Sequence, residues 1–99
     1  MSSFAEIVAA DQRLAILQAL QEDPDYSHNE HVLGRLLGAI GHQISGDRLR
    51  SHLAWLAEQD LVGLADVGGV QIVKLSRRGE DVALGRAREP GVARPRPGG

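Results

Sequence analysis

The stretch that decides the fold is residues 53–79, LAWLAEQDLVGLADVGGVQIVKLSRRG. It starts as the apolar end of a helix and continues as two strand-like runs, at about residues 62–67 and 70–75. The two runs flank Gly68-Gly69, and a glycine pair suits the positive φ angles of a two-residue hairpin turn. The stretch therefore predicts a helix followed by a tight two-stranded hairpin.

Polar residues mark the ends of the remaining helices. Ser3 and Glu6 form a capping box that begins a first helix, which stops before Pro24. Its apolar stripe is predicted to face the core and consists of Phe4, Ile7, Val8, Leu14, Leu17 and Leu20. Ser27 and Glu30 form a second predicted capping box, which begins a helix that ends at Gly41.

A third helix follows after a short turn, with Ser45 as its N-cap, and Ser76 caps a last short helix that runs to about Leu84. The predicted fold class is mainly α with a small β-hairpin (α+β). Its arrangement is a winged helix-turn-helix over residues 1–84, with three helices, a two-stranded wing and a short C-terminal helix. Residues 85–99 are rich in Pro, Gly and Arg and are predicted to be a flexible tail with little to bury.

Composition narrows the class of protein. The absence of cysteine excludes a thiol nucleophile, a disulfide framework and a thiolate metal site. The N-terminus lacks a signal-peptide pattern, and no run approaches the roughly 20 apolar residues that span a bilayer. We therefore expect a soluble, cytoplasmic protein with no membrane contact.

Charge is distributed unevenly along the chain, although the net charge is only −2. Residues 1–30 hold six acids against one arginine, a net −5, whereas residues 85–99 hold four arginines against one acid, a net +3. Nucleic-acid-binding domains usually have a clear basic face. Here the most basic segment is the predicted tail.

The third helix provides the candidate DNA-binding residues. If Leu49 and Leu53 face inward, a rotation of about 100° per residue leaves Ser51 outward, with Arg48 and Arg50 on its flanks. The N-terminal part of a recognition helix contacts base edges, and Arg and Ser both make such contacts. We predict double-stranded DNA as partner, bound by Arg48, Arg50 and Ser51, with backbone phosphate contacts from Arg77 and Arg78.

Other features weigh against DNA. The predicted wing tip, residues 66–71, contains Asp66 and no base, which favours a hairpin that only completes the fold. A solvated mixed-charge face on a domain that no longer binds DNA is the alternative for the third helix. The arginines of residues 85–99 are suited either to sequence-independent phosphate contacts or to a peptide contact with a protein partner.

Neither a metal site nor an active site is predicted. His28 and His31 share a helix face near Glu30, but His42 and His52 belong to other elements, and zinc needs convergent ligands. We expect His52 to be a hydrogen-bonded core histidine. The chain has no nucleophile elbow, phosphate loop or His-Glu-x-x-His motif, so we predict no cofactor and no enzyme activity.

The chain resembles two groups of proteins. It is similar in fold to compact winged-helix regulators of the ArsR and MarR type, through residues 53–56, 60–62 and 75–79. It also resembles a family of small uncharacterised proteins of Mu-like transposable phages and prophages. That resemblance rests on segments spread over nearly the whole chain: residues 14–20, 26–30, 47–50, 53–56, 68–70, 78–83 and 85–92.

The resemblance to Mu-like phage proteins implies a phage context, often near packaging or morphogenesis genes, and implies no activity. Two functions remain open. The first is a DNA-binding, phage-encoded transcriptional regulator or accessory factor that acts as a homodimer. The second is a non-catalytic interaction module that binds a phage protein during assembly or DNA packaging, through the first helix, the acidic N-terminal half or the tail.

Overall fold

The structure is a computed structural model that describes residues 3–97. It has four helices and a three-stranded antiparallel sheet, which confirms the predicted α+β class. In chain order the elements are α1 (Phe4–Glu22), β1 (Ser27–Asn29), α2 (Glu30–Ala39), α3 (Gly46–Glu58), β2 (Val62–Val67), β3 (Val70–Leu75) and α4 (Arg77–Ala83). Within residues 3–97, no helix is both long and apolar enough to cross a bilayer.

Three helix starts agree with the sequence analysis. The Ser3 hydroxyl accepts from the Glu6 N–H at 3.1 Å and completes the capping box of α1. Ser45 and Ser76 cap α3 and α4 in the same way. A side-chain acceptor at the N-cap satisfies one of the otherwise unpaired donors of the first turn, so the sequence determines these starts locally.

The start of α2 differs from the prediction. Asn29 caps this helix, and its Oδ1 accepts from the Val32 N–H at 2.9 Å. Ser27, the predicted cap, instead lies in β1 and pairs with Lys74 of β3. The order of strands in the sheet is β1-β3-β2, so the hairpin gains a third strand that the sequence analysis did not predict. A polar segment of three residues has no strand pattern of its own and forms only because β3 is beside it.

The hairpin matches its prediction residue by residue. Val67 pairs with Val70, and Gly68 and Gly69 have φ angles of 60° and 84°. The Asp66 carboxylate accepts from the Gly69 N–H at 2.9 Å and closes the turn. The turn therefore depends on backbone angles that side chains with a Cβ adopt only at a cost.

We expect Gly68→Val to lower the free energy of unfolding by roughly 1 kcal/mol or more, because a β-branched residue resists positive φ. A Cβ at Gly68 would meet no atom within 4 Å, so the cost is conformational and not steric. Gly63→Val is the matched control, since Gly63 lies in β2 with equally open space and without a positive φ. Equal urea midpoints for the two variants would contradict the tight turn.

The core surrounds α1. It is formed by apolar side chains from every helix, from β2 and β3, and from the segment after α4, namely Leu14, Ala15, Ile16, Leu17, Leu20, Leu33, Leu37, Leu49, Leu53, Leu56, Leu61, Val62, Val73, Leu75, Val82, Ala83 and Val92. Phe4 and Ile7 belong to the apolar stripe that is predicted to face the core, but both side chains are exposed. The first buried residue of α1 is Ala9, so the first turn of this helix lies outside the core.

The segment after α4 also differs from the sequence expectation. It was expected to have little to bury, yet Val92 lies in the core and the Ala93 N–H donates to the Ala10 carbonyl at 3.1 Å. Gly91 has a φ of 95°, and a Cβ at this position would lie 2.7 Å from Cζ2 of Trp55. A glycine that allows close approach, a valine that fills the core and a backbone hydrogen bond to Ala10 help to hold this segment against α1.

Candidate nucleic-acid interface

The rotation of α3 is the one that the sequence predicts. Leu49 and Leu53 are buried, and Arg48, Arg50 and Ser51 are exposed, with Ser51 outward and the two arginines on the flanks. Three of the five predicted DNA-binding residues therefore lie together near the start of one helix. Arg77 and Arg78 are also exposed, but they lie at the start of a different helix, α4.

Arg50 is bound within the protein. Its Nε and Nη2 donate to the two carboxylate oxygens of Glu30, each at 2.8 Å, and Nη2 also donates to the Gly69 carbonyl at 3.1 Å. The Gln71 N–H donates to the same carboxylate at 2.6 Å. Glu30 begins α2 and is buried, so one bidentate ion pair joins α2, α3 and the tip of the hairpin.

The Glu30–Arg50 pair is charged at neutral pH. The hydrogen bonds from Arg50, and then that from the Gln71 N–H, lower the pKa of Glu30 from 4.5 to about 2. The same contact with Glu30 raises the pKa of Arg50. The sequence pattern predicts only a capping box at Glu30 and gives no sign of this pair, because two residues twenty positions apart carry no local signal of their contact.

The other four predicted DNA-binding residues differ in whether their side chains are bound within the protein. Arg78 donates to the Glu89 carboxylate at 2.8 Å, so an acid of the segment after α4 already offsets its charge. For Arg48, Ser51 and Arg77, the structure of residues 3–97 contains no side-chain hydrogen bond or ion pair. Their polar atoms therefore face solvent and are open to a ligand.

A polar network holds the opposite side of α3 against α1. Arg13 of α1 donates from Nε to His52 Nδ1 at 3.2 Å, so Nε2 of His52 carries the hydrogen that Gln12 Oε1 accepts at 2.8 Å. The Arg13 guanidinium also lies 4.0 Å from the ring centre of Trp55 and donates to the Gly91 carbonyl at 3.0 Å. One arginine thus joins α1, α3 and the C-terminal segment.

His52 is the buried, hydrogen-bonded core histidine that the sequence analysis expected. Burial, followed by the positive charges of Arg13 and Arg48, lowers its pKa from 6.5 to about 4. Burial and the charge of Arg48 also lower the pKa of Arg13. The imidazole is therefore neutral at physiological pH, and its role is structural. Among residues 3–97, no cluster of three or more His, Asp or Glu side chains could hold a metal ion.

Acids lie beside the candidate surface. Asp47 and Glu58 are exposed on α3, and Asp66 is exposed on the hairpin. The only base of the hairpin, Lys74, lies near the far end of β3 from the Gly68-Gly69 turn. The surface therefore combines exposed cationic and anionic groups and is not a uniformly basic face.

Most of the chain is similar to known proteins. The chain is 47% identical over 92 residues to the uncharacterised protein gp26 of Escherichia phage Mu. These matched residues are 93% of this chain and 95% of gp26. The chain belongs to the gp26 family. An uncharacterised protein of Haemophilus influenzae strain Rd is 38% identical over 77 residues, or 77% of this chain and 74% of that protein. No protein-family model and no solved structure matches the chain.

Membership of the gp26 family confirms the resemblance to small phage proteins that the sequence analysis gave. The match leaves only a few residues of either chain uncovered. Both relatives are described as uncharacterised, so they supply no activity. The phage origin rests on gp26 alone.

Proposed function

We propose that this chain is a winged-helix protein that binds double-stranded DNA, with α3 in the major groove and the β2–β3 hairpin as the wing. The order of helices and strands, with β1 beside β3, supports this proposal. In this arrangement α2 and α3, which residues 40–45 join, would be the helix-turn-helix unit. As a member of the gp26 family, the protein would act as a phage or prophage regulator or accessory factor in the host cytoplasm.

The observation that carries the proposal is the bridge from Arg50 to the hairpin. Arg50 holds Glu30 with two hydrogen bonds and the Gly69 carbonyl with a third, so α3 and the hairpin tip form one fixed surface. A recognition helix and a wing must keep a constant spacing to contact adjacent grooves of one duplex. A pre-arranged surface also avoids the entropic cost of ordering the two elements on binding.

Each cationic residue has a role in this arrangement. Arg48 and Ser51 contact base edges, since their polar atoms face solvent near the start of α3. Arg50 uses Nε and Nη2 for internal contacts and presents Nη1 to a phosphate. Arg77 contacts backbone phosphate from α4, and Arg78 does so once phosphate replaces the carboxylate of Glu89.

We expect Arg48→Ala to weaken binding to duplex DNA and to relax the base preference, because Arg48 is proposed to contact base edges. Fluorescence anisotropy with labelled duplexes of several sequences, at several salt concentrations, measures both quantities. Arg88→Ala is the matched control, because Arg88 is exposed in the C-terminal segment, away from α3. Equal affinities and base preferences for the two variants would place the DNA surface elsewhere.

The alternative is a non-catalytic interaction module for a phage protein in assembly or packaging. The acids Asp47, Glu58 and Asp66 favour it, because they would repel phosphate beside the very residues proposed to contact DNA. If the intact chain fails to bind any duplex in the same titration, the DNA proposal falls and the interaction module is the function that remains.

A further inference from the structure

The beginning of α1 presents apolar side chains to solvent. Phe4 is 83% exposed and Ile7 is 52% exposed, although both occur on a helix that is otherwise central to the core. Glu6 and Arg13, by contrast, lie on other faces of the helix. Large exposed apolar side chains that are neighbours on one helix face are typical of a surface that another molecule covers.

An apolar groove lies at the other end of the same helix face. It has a volume of about 540 Å³ between α1 and α2, and its wall on α1 includes the small residues Ala15 and Ala19. Leu36 of α2 and Ile40, the C-cap of that helix, form its opposite edge, and Ile40 is 62% exposed. A groove walled by alanine has room for a large side chain that approaches from outside.

Charged residues lie midway between these two apolar regions. Asp11 lines a second cavity of about 350 Å³ together with Ile40, Arg94 and Arg96. Among residues 3–97, none of the three charged side chains takes part in an ion pair. This part of the surface therefore has one acid and two bases that are available to a ligand of matching charge.

We propose that this α1–α2 surface binds a second copy of the chain in a two-fold symmetric dimer, with the two α1 helices antiparallel. The symmetry axis passes near Asp11, which is midway in sequence between Ile7 and Ala15. Phe4 of each copy then lies over Ala19 of the other, in the groove edged by Leu36. The dimer goes beyond the proposed function and does not depend on DNA binding.

The occupant is a second copy because the surface is complementary to itself. A two-fold interface uses the same patch twice, so each feature must meet its complement within that patch. Large residues at one end of α1 meet alanines at the other end, and Asp11 of each copy approaches Arg94 and Arg96 of the other. Glu22 and Asp23 lie at the outer end of the groove, where Asp23 is paired with His28 at 3.3 Å and the two acids border solvent.

Sedimentation equilibrium of the full chain over a concentration series tests the dimer. We expect a mass of twice 10.6 kDa at high concentration. Phe4→Asp and Ile40→Asp should each raise the dimer dissociation constant about tenfold or more, because buried anchors carry most of an interface's affinity. Val67→Asp is the matched control, since Val67 is as exposed as Ile40 but lies on the hairpin. Far-UV circular dichroism establishes that each variant is folded.

A charge reversal separates this interface from other ways of associating. Asp11→Arg should raise the dissociation constant, and combining it with Arg94→Glu and Arg96→Glu should restore the original value. A chain that stays monomeric at every concentration would overturn the proposal. So would a dimer that tolerates both Phe4→Asp and Ile40→Asp, or a triple charge variant that associates no better than Asp11→Arg alone.

Discussion

Leu53→Ala is expected to lower the free energy of unfolding by about 2–5 kcal/mol, because it leaves a cavity in a close-packed core. Leu53 is fully buried where α3 faces the rest of the core. For a domain with a total stability of about 5–15 kcal/mol, this is a large fraction. Urea denaturation followed by circular dichroism measures the loss.

Leu84→Ala serves as the control for Leu53→Ala, since Leu84 is exposed just after α4. The control should change stability by less than about 0.5 kcal/mol, as surface substitutions usually do. A similarly small loss for Leu53→Ala would mean that α3 is rotated about its axis. The exposed positions of Arg48, Arg50 and Ser51 would then be wrong as well.

His52 is expected to make the protein less stable in mild acid. The pKa of His52 is about 4 in the folded protein, whereas in the unfolded chain it has the ordinary value of 6.5. Between pH 4 and pH 6.5, therefore, the unfolded chain binds the proton and the folded protein does not. The stabilisation is therefore complete above pH 6.5 and is lost as the pH falls toward 4. At 1.36 kcal/mol per pKa unit, the loss between pH 7 and pH 5 is about 2 kcal/mol.

Unfolding free energies measured from pH 7 to pH 5 test this expectation. His52→Leu removes the titrating group and should flatten the pH dependence, even if it lowers stability at pH 7 by breaking the bonds to Gln12 and Arg13. His31→Leu is the control, because His31 is exposed on α2. The carboxylate of Glu30, with a pKa of about 2, contributes at lower pH and does not interfere. An unchanged pH dependence in His52→Leu would exclude His52 as the source.

Features governed by neighbouring residues could be predicted from the sequence. Ser3, Ser45 and Ser76 cap helices because each side chain reaches a backbone donor three residues away. The Gly68-Gly69 turn follows from its own backbone angles. The rotation of α3 follows from the spacing of its apolar residues. None of these needs information from a distant part of the chain.

Features that depend on distant contacts could not be predicted. The strand β1 exists because β3 pairs with it, and this displaces the start of α2 from Ser27 to Asn29. The Glu30–Arg50 pair forms only once α2 and α3 are in place. Val92 is buried only because α1 lies alongside the C-terminal segment. Because Val92 is part of the core, removing residues 85–99 would disturb the folded protein. Phosphate contacts by the arginines of this segment are therefore better tested with Arg94→Ala and Arg96→Ala.

A titration of the ¹⁵N-labelled intact chain with a random-sequence duplex at low salt, followed by amide chemical shifts, tests the central claim most directly. If α3 and the hairpin form the DNA surface, the amides that shift should be those near Arg48, Arg50 and Ser51 and those of the Gly68-Gly69 turn. The amides of Leu36 and Ile40, which line the groove between α1 and α2, should stay in place. An absence of shifts, or shifts centred on α1 and α2, would contradict the account.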